Sequence, residues 1–99
     1  MTYDKHIQEI DGRKSKKIFM FTLSTCVWCK KTKVLMKELG LSYQFVDVDL
    51  VLDETKAELM QDFEKFNPET SFPTIVIDDG TELIIGFDEG KIRKLKDGK

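Results

Sequence analysis

The sequence predicts a single α/β domain, a mixed four-stranded sheet with helices packed on it in the order β-α-β-α-β-β-α. Three observations carry that reading. A continuous apolar run, Ile18-Phe19-Met20-Phe21, has the pattern of a central strand buried on both faces. An amphipathic stretch and then a segment rich in aromatic and β-branched residues follow it, the succession of a βαβ unit. Nearer the C-terminus, Asp79-Gly80 separates two strand-like segments as a tight hairpin turn does. At 99 residues the chain has room for one core and not two.

Taken in order, residues 1–15 read as a polar, loosely held N-terminal extension ahead of a domain of residues 16–99. Ile7, Ile10 and the turn signal Asp11-Gly12 allow an extra edge strand there. Residues 17–22 form the first core strand. Over residues 27–39, Val27, Val34, Leu35 and Leu39 fall near helical spacing with lysines on the other face, and Gly40 supplies the C-terminal cap. Residues 42–48 form the next strand, parallel to the first, because a strand–helix–strand crossover is right-handed and leads to a parallel neighbour. Asp53 caps a second helix, whose stripe of Ala57, Met60, Phe63 and Phe66 ends at Asn67-Pro68. Phe72 to Asp78 reads as a strand, Leu83-Ile84-Ile85 as its antiparallel return, and Gly86 as the close of the hairpin. A short helix over 88–96 carries Ile92 and Leu95 at i, i+3 and gathers its cations late, where the helix dipole favours them.

Composition narrows the function. Hydrophobic residues make up 40% and charged residues 34%, enough apolar surface to fold. The formal net charge of −2 supplies no positive field to draw the chain onto nucleic acid or anionic lipid. The N-terminus lacks the apolar core of a signal peptide, and no run approaches the roughly 18 apolar residues of a membrane span, so a cytoplasmic address is expected. The two cysteines, Cys26 and Cys29, would be held there as thiols, ready for chemistry.

The pair Cys26-Val27-Trp28-Cys29 lies where the first strand hands over to the first helix. A thiol at a helix N-terminus meets unsatisfied N–H groups and the positive end of the macrodipole, which favour thiolate over thiol; Lys30, Lys31 and Lys33 add to this. Cys26 is therefore the expected attacking thiol. Cys29, one turn on and deeper on the same face, is the expected resolving thiol. Other readings of the pair stay open. A structural staple would close so short a loop that it restrains the unfolded chain by only about 2 kcal/mol. A zinc site normally takes four ligands, whereas the chain offers these two cysteines and a distant His6, so no metal site is expected. Two inert core cysteines would sit in the wrong place, at an exposed turn. Phe72-Pro73-Thr74 opens the third core strand, where a proline removes no ladder hydrogen bond.

Phe21-Thr22-Leu23-Ser24-Thr25-Cys26-Val27-Trp28-Cys29, then Ser71-Phe72-Pro73-Thr74, then Gly86-Phe87-Asp88, over roughly residues 16–96, resembles the glutaredoxins and the glutaredoxin-like electron donors of ribonucleotide reductase. The resemblance implies a thioredoxin-like, glutaredoxin-type fold of three α/β/α layers. It implies that Pro73 is cis and lies against the cysteine pair, that the Phe72 backbone pairs with a bound thiol peptide, and that Asp88 meets the glutamyl end of glutathione. Thr25, Trp28, Gly86 and Phe87 complete the implied substrate or glutathione surface. Trp28 is either an apolar platform beside the attacking sulfur or a first-turn residue packed locally.

The implied activity is dithiol reduction of protein disulfides or glutathione mixed disulfides by a monomer with no bound cofactor. Glutathione or a thioredoxin-reductase-type donor would supply electrons. Departures from the family qualify this. Leu23 stands where members often carry a lysine or arginine, Val27-Trp28 replaces Pro-Tyr, and Ile85-Gly86 replaces the double glycine of glutathione-binding members. Gly86-Phe87 instead resembles the reductase donors, so a glutathione-independent redoxin serving a reductase such as ribonucleotide reductase is the alternative. A third reading, from the family alone, is a carrier of a [2Fe–2S] cluster shared by two chains and glutathione, which Leu23 and Ile85 would weaken.

Overall fold

The structure, a computed structural model, describes residues 2–97; residue 1 of the predicted extension and residues 98 and 99 of the predicted domain lie outside it. Its strands are β1 (Gln8–Ile10), β2 (Ile18–Thr22), β3 (Tyr43–Asp47), β4 (Thr74–Ile77) and β5 (Glu82–Ile85), and its helices α1 (Val27–Glu38), α2 (Lys56–Phe66) and α3 (Glu89–Lys94). The sheet runs β1-β3-β2-β4-β5. β2 pairs in parallel with β3, Met20 opposite Phe45, and antiparallel with β4, Met20 opposite Ile75. β4 and β5 form the antiparallel hairpin. The edge strand exists: β1 lies antiparallel to β3, Gln8 opposite Phe45, giving the predicted four strands a fifth.

Alternation along the central strand divides the core in two, as the period of a strand requires. Met20 faces one side, where Leu35 and Met36 of α1 and Ile92 of α3 join Ile75 and Ile84. Phe21 faces the other, with Leu59 and Phe63 of α2, Val46 and Val76. The three layers follow from that division.

Several local expectations need revision. α1 buries Cys29, Thr32, Leu35 and Met36, whereas Val27 and Val34 are exposed. Thr32 is tolerated inside because its hydroxyl donates to the Trp28 carbonyl at 2.8 Å. α2 turns Leu59 and Phe63 inward and leaves Ala57 in solvent. Asp53 is not the residue flanking that helix. Thr55 is, and the Asp53 carboxylate folds the turn ahead of it by accepting from the Thr55 amide and hydroxyl. β4 begins at Thr74, past the proline. The hairpin connection is longer than the two residues Asp79-Gly80, because Ile77 pairs with Glu82 and a short 3₁₀ turn over Asp78–Gly80 lies between them.

The N-terminal segment is polar in composition yet packed. Tyr3 is buried in the α2-side core, and its hydroxyl donates to Asp62 at 2.6 Å. Thr2 donates its amide to Glu58, and Lys5 and His6 both meet Asp53, at 3.2 and 2.9 Å. Among the described residues, no helix is long and apolar enough to cross a membrane.

Candidate functional site

β2 ends at Thr22, and residues 23–25 turn the chain into α1. Two contacts set that turn: the Cys26 amide donates to the Leu23 carbonyl at 3.2 Å, and Ser24 donates its amide and hydroxyl to the two Asp49 oxygens at 2.9 and 2.5 Å. The Ser24 hydroxyl and then its amide hold the Asp49 carboxyl below the usual carboxylate range. Cys26 then occupies the N-cap of α1 in extended backbone conformation, and its sulfur accepts from the Cys29 amide at 3.2 Å. A serine or aspartate oxygen usually takes that place; here sulfur receives a helix N–H that would otherwise lack a partner.

The two free thiols differ sharply in environment. Cys26 is half-buried and Cys29 fully so. Burial, then the neighbouring Cys26 sulfur, push the Cys29 thiol up to about 12, against opposing pulls from the Leu23 backbone and the Lys33 charge. One cysteine is partly open to solvent, while burial favours the protonated form of the other.

Around the pair, Trp28 stacks on Phe87 at 5.8 Å between centroids, and the Lys31 ammonium lies 4.6 Å over the indole. Trp28 remains 53% exposed, so it is packed locally and still presents an apolar face. An open depression of about 470 Å³ between α1 and α3 is lined by Val27, Val34, Phe87 and Arg93 among others. The Phe72–Pro73 bond is cis, and Pro73 is buried. Its carbonyl accepts from the Gly86 amide at 2.8 Å, and Gly86 has the positive φ of 81° that suits glycine. The Phe72 ring packs on Phe63 at 5.1 Å. Asp88 caps α3 through the Lys91 amide at 3.1 Å, and Thr25 is exposed.

A polar cluster absent from the sequence expectations lies at the ends of β2 and β3. The Thr22 hydroxyl is 2.7 Å from the Asp47 carboxylate, and the Lys33 ammonium is 3.5 Å from the same oxygen and 3.8 Å over the Phe45 ring. Its signal was present: an aspartate in the otherwise apolar Phe45-Val46-Asp47-Val48, and a lysine four residues beyond Cys29 on one helix. Among the described residues, no group of three or more His, Cys, Asp or Glu side chains is placed to hold a metal ion.

Comparison with known proteins agrees with this geometry. The glutaredoxin family pattern matches residues 18–81. A glutaredoxin-like 8.6 kDa protein of the rubredoxin operon of Clostridium pasteurianum is 36% identical over 78 residues, 79% of this chain and 95% of that one. Among solved structures, the glutaredoxin from Methanosarcina mazei Go1 superposes with a TM-score of 0.80 at 38% identity, over 92% of this chain and 87% of that one. The methanoredoxin of Methanosarcina acetivorans gives a TM-score of 0.77 at 44% identity, over 85% and 87% of the respective chains.

Proposed function

The chain belongs to the glutaredoxin family, and from that membership we propose that it is a dithiol thiol–disulfide oxidoreductase working through Cys26 and Cys29. The observation that supports this most directly is the asymmetry of the pair: a half-buried cysteine at the mouth of α1 whose sulfur accepts the Cys29 amide, with a fully buried cysteine one turn away. In the first step the Cys26 thiolate attacks a substrate disulfide R–S–S–R′. A Cys26–S–R bond forms, the S–S bond breaks, and R′–S⁻ leaves with the electron pair and takes up a proton. Cys29 then loses its proton and attacks Cys26 Sγ; the Cys26–Cys29 bond forms and R–S⁻ departs. The substrate gains two electrons, and an external thiol donor later returns two to the pair.

In this reading the substrates are protein disulfides or glutathione mixed disulfides, and the protein acts in the cytoplasm as a monomer without bound cofactor. Trp28 and Phe87 offer an apolar face to the polypeptide flanking the substrate sulfur. Phe72, Pro73 and Gly86 would supply backbone beside it, with Thr25 and Asp88 at its rim. A second reading, a glutathione-independent redoxin serving a reductase such as ribonucleotide reductase, is favoured by Leu23. That side chain packs into the α2-side core and brings no cation to a glutathione carboxylate.

Two assays test these readings. Cys26→Ser should abolish turnover, and Cys29→Ser should retain only a monothiol reaction with glutathione mixed disulfides; full activity in the Cys26 variant would refute the scheme. Reducing one disulfide substrate with glutathione and its reductase, and separately with a thioredoxin reductase system, decides between the donors.

A further inference from the structure

The resolving step sets a physical problem. A buried sulfur that holds its proton must become a thiolate inside the protein, where an unpaired charge is strongly disfavoured. Lys33 is placed to meet it. Cys29 and Lys33 are four residues apart on α1 and share a helix face. Whereas Lys30, Lys31 and Lys37 are exposed, the Lys33 side chain is only 23% exposed and turns toward the sheet, its ammonium over Phe45 and beside Asp47. Asp47 is itself 10% exposed and fixed by the Thr22 hydroxyl, so the lysine is held at both its carboxylate and its aromatic contact. The lysine's charge is among those acting on the Cys29 sulfur in the direction that favours the anion.

We propose that Lys33, held by Asp47 and Phe45, is a positioning residue for the resolving step: its ammonium stabilises the Cys29 thiolate while that sulfur attacks Cys26. The inference rests on the dithiol function proposed above. Cys29 gives up its proton, the Cys29–Cys26 bond forms, the bond from Cys26 to the substrate sulfur breaks, and the departing thiolate takes a proton. Lys33 keeps its own protons throughout and acts by charge alone. The ionisable neighbours of that sulfur are Cys26 and Lys33 on its own helix, with Asp47 facing Lys33 from β3. On α3, which packs against α1, Glu89 and Arg93 pair with each other at 2.7 Å.

Rapid mixing of the reduced protein with dithiobis(nitrobenzoate) separates the two steps. The first coloured thiolate is released by Cys26 at a rate that scales with reagent; the second is released by Cys29 at a rate that does not. In Lys33→Met the second phase should slow about tenfold at neutral pH, and its pH profile should move about one unit upward, while the first phase changes by less than about twofold. Lys33→Arg keeps the charge and should restore both the rate and the profile. An unchanged second phase in Lys33→Met, equal slowing of both phases, or failure of Lys33→Arg to restore the rate each overturns the inference. Cys29→Ser separates the two levels. A second phase that persists there sinks the dithiol function itself, whereas its loss beside an unaffected Lys33→Met sinks the part given to Lys33 alone.

Discussion

The two faces of the sheet are built from different materials. On the α2 face, Phe21 stacks on Phe63 at 4.6 Å, Phe72 packs on Phe63, and Tyr3 closes the layer from the N-terminus. On the α1 face, the helix begins in a half-exposed sulfur and buries Cys29 and Thr32 among its four inward residues. One face is a stack of rings whose value is contact area; the other gives up apolar contact near its end to place two sulfurs, a hydroxyl and a lysine. The expectation is that stability resides mainly in the first and chemistry in the second.

The largest effect should come from Phe63→Ala. Removing a fully buried ring that touches both Phe21 and Phe72 should cost about 3–5 kcal/mol of unfolding free energy, read by denaturant titration. A loss under about 1 kcal/mol would show that the α2 face is not the main source of stability. Next comes the contrast between the sulfurs. With Cys29 pushed up to about 12, its thiolate fraction at neutral pH is about a thousandfold below that of an ordinary thiol, so iodoacetamide should label Cys26 in the native protein and Cys29 only after unfolding. Mass spectrometry of the labelled peptides reads this directly, and equal labelling would contradict the asymmetry. The sign for stability follows from the same cause. Folding raises this thiol, so its contribution is whole below about pH 9 and is lost as pH rises toward 12, a decline that Cys29→Ala should lessen. A smaller effect belongs to Tyr3→Phe, which leaves the ring in place and removes the bond to Asp62. A hydrogen bond to a charged partner is worth about 1.5–3 kcal/mol, and the loss should appear without any change in disulfide reduction.

The same division explains what was legible in the sequence. β2 is plain because a strand buried on both faces leaves an unbroken apolar run, and the position of the cysteine pair is plain because strand-to-helix placement is a local property. The inward face of α1 is concealed because Val27 and Val34, apolar but exposed, imitate core spacing, while the residues that do point inward include a cysteine and a threonine. The Lys33–Asp47 and Ser24–Asp49 pairings are hidden in the sequence for a related reason: each residue is ordinary in its own segment and gains meaning from a partner 14 to 25 residues away. The N-terminal segment read as a loose extension because its polar residues outnumber the two that anchor it, Tyr3 and Ile7.

The smallest effect concerns the tie between that segment and α2. The Asp53 carboxyl is held well below the usual carboxylate range, first by the Thr55 hydroxyl and then by His6, with the Thr55 amide and Lys5 contributing. Since folding lowers this group, the stability it contributes is present above the ordinary aspartate value of about 4 and is lost as pH falls below it. Solvent reaches the cluster and screens it, so global unfolding should barely register the change. Local opening should: between about pH 5 and pH 2, hydrogen-exchange protection of the β1 amides should fall while that of the β2 amides holds. Asp53→Asn should remove the pH dependence by loosening β1 at both ends of the range. Protection of β1 that stays constant through acid would mean that Tyr3 and the pairing with β3 hold the segment without help from Asp53, and that even this outer polar tie is subordinate to the ring-packed face beneath it.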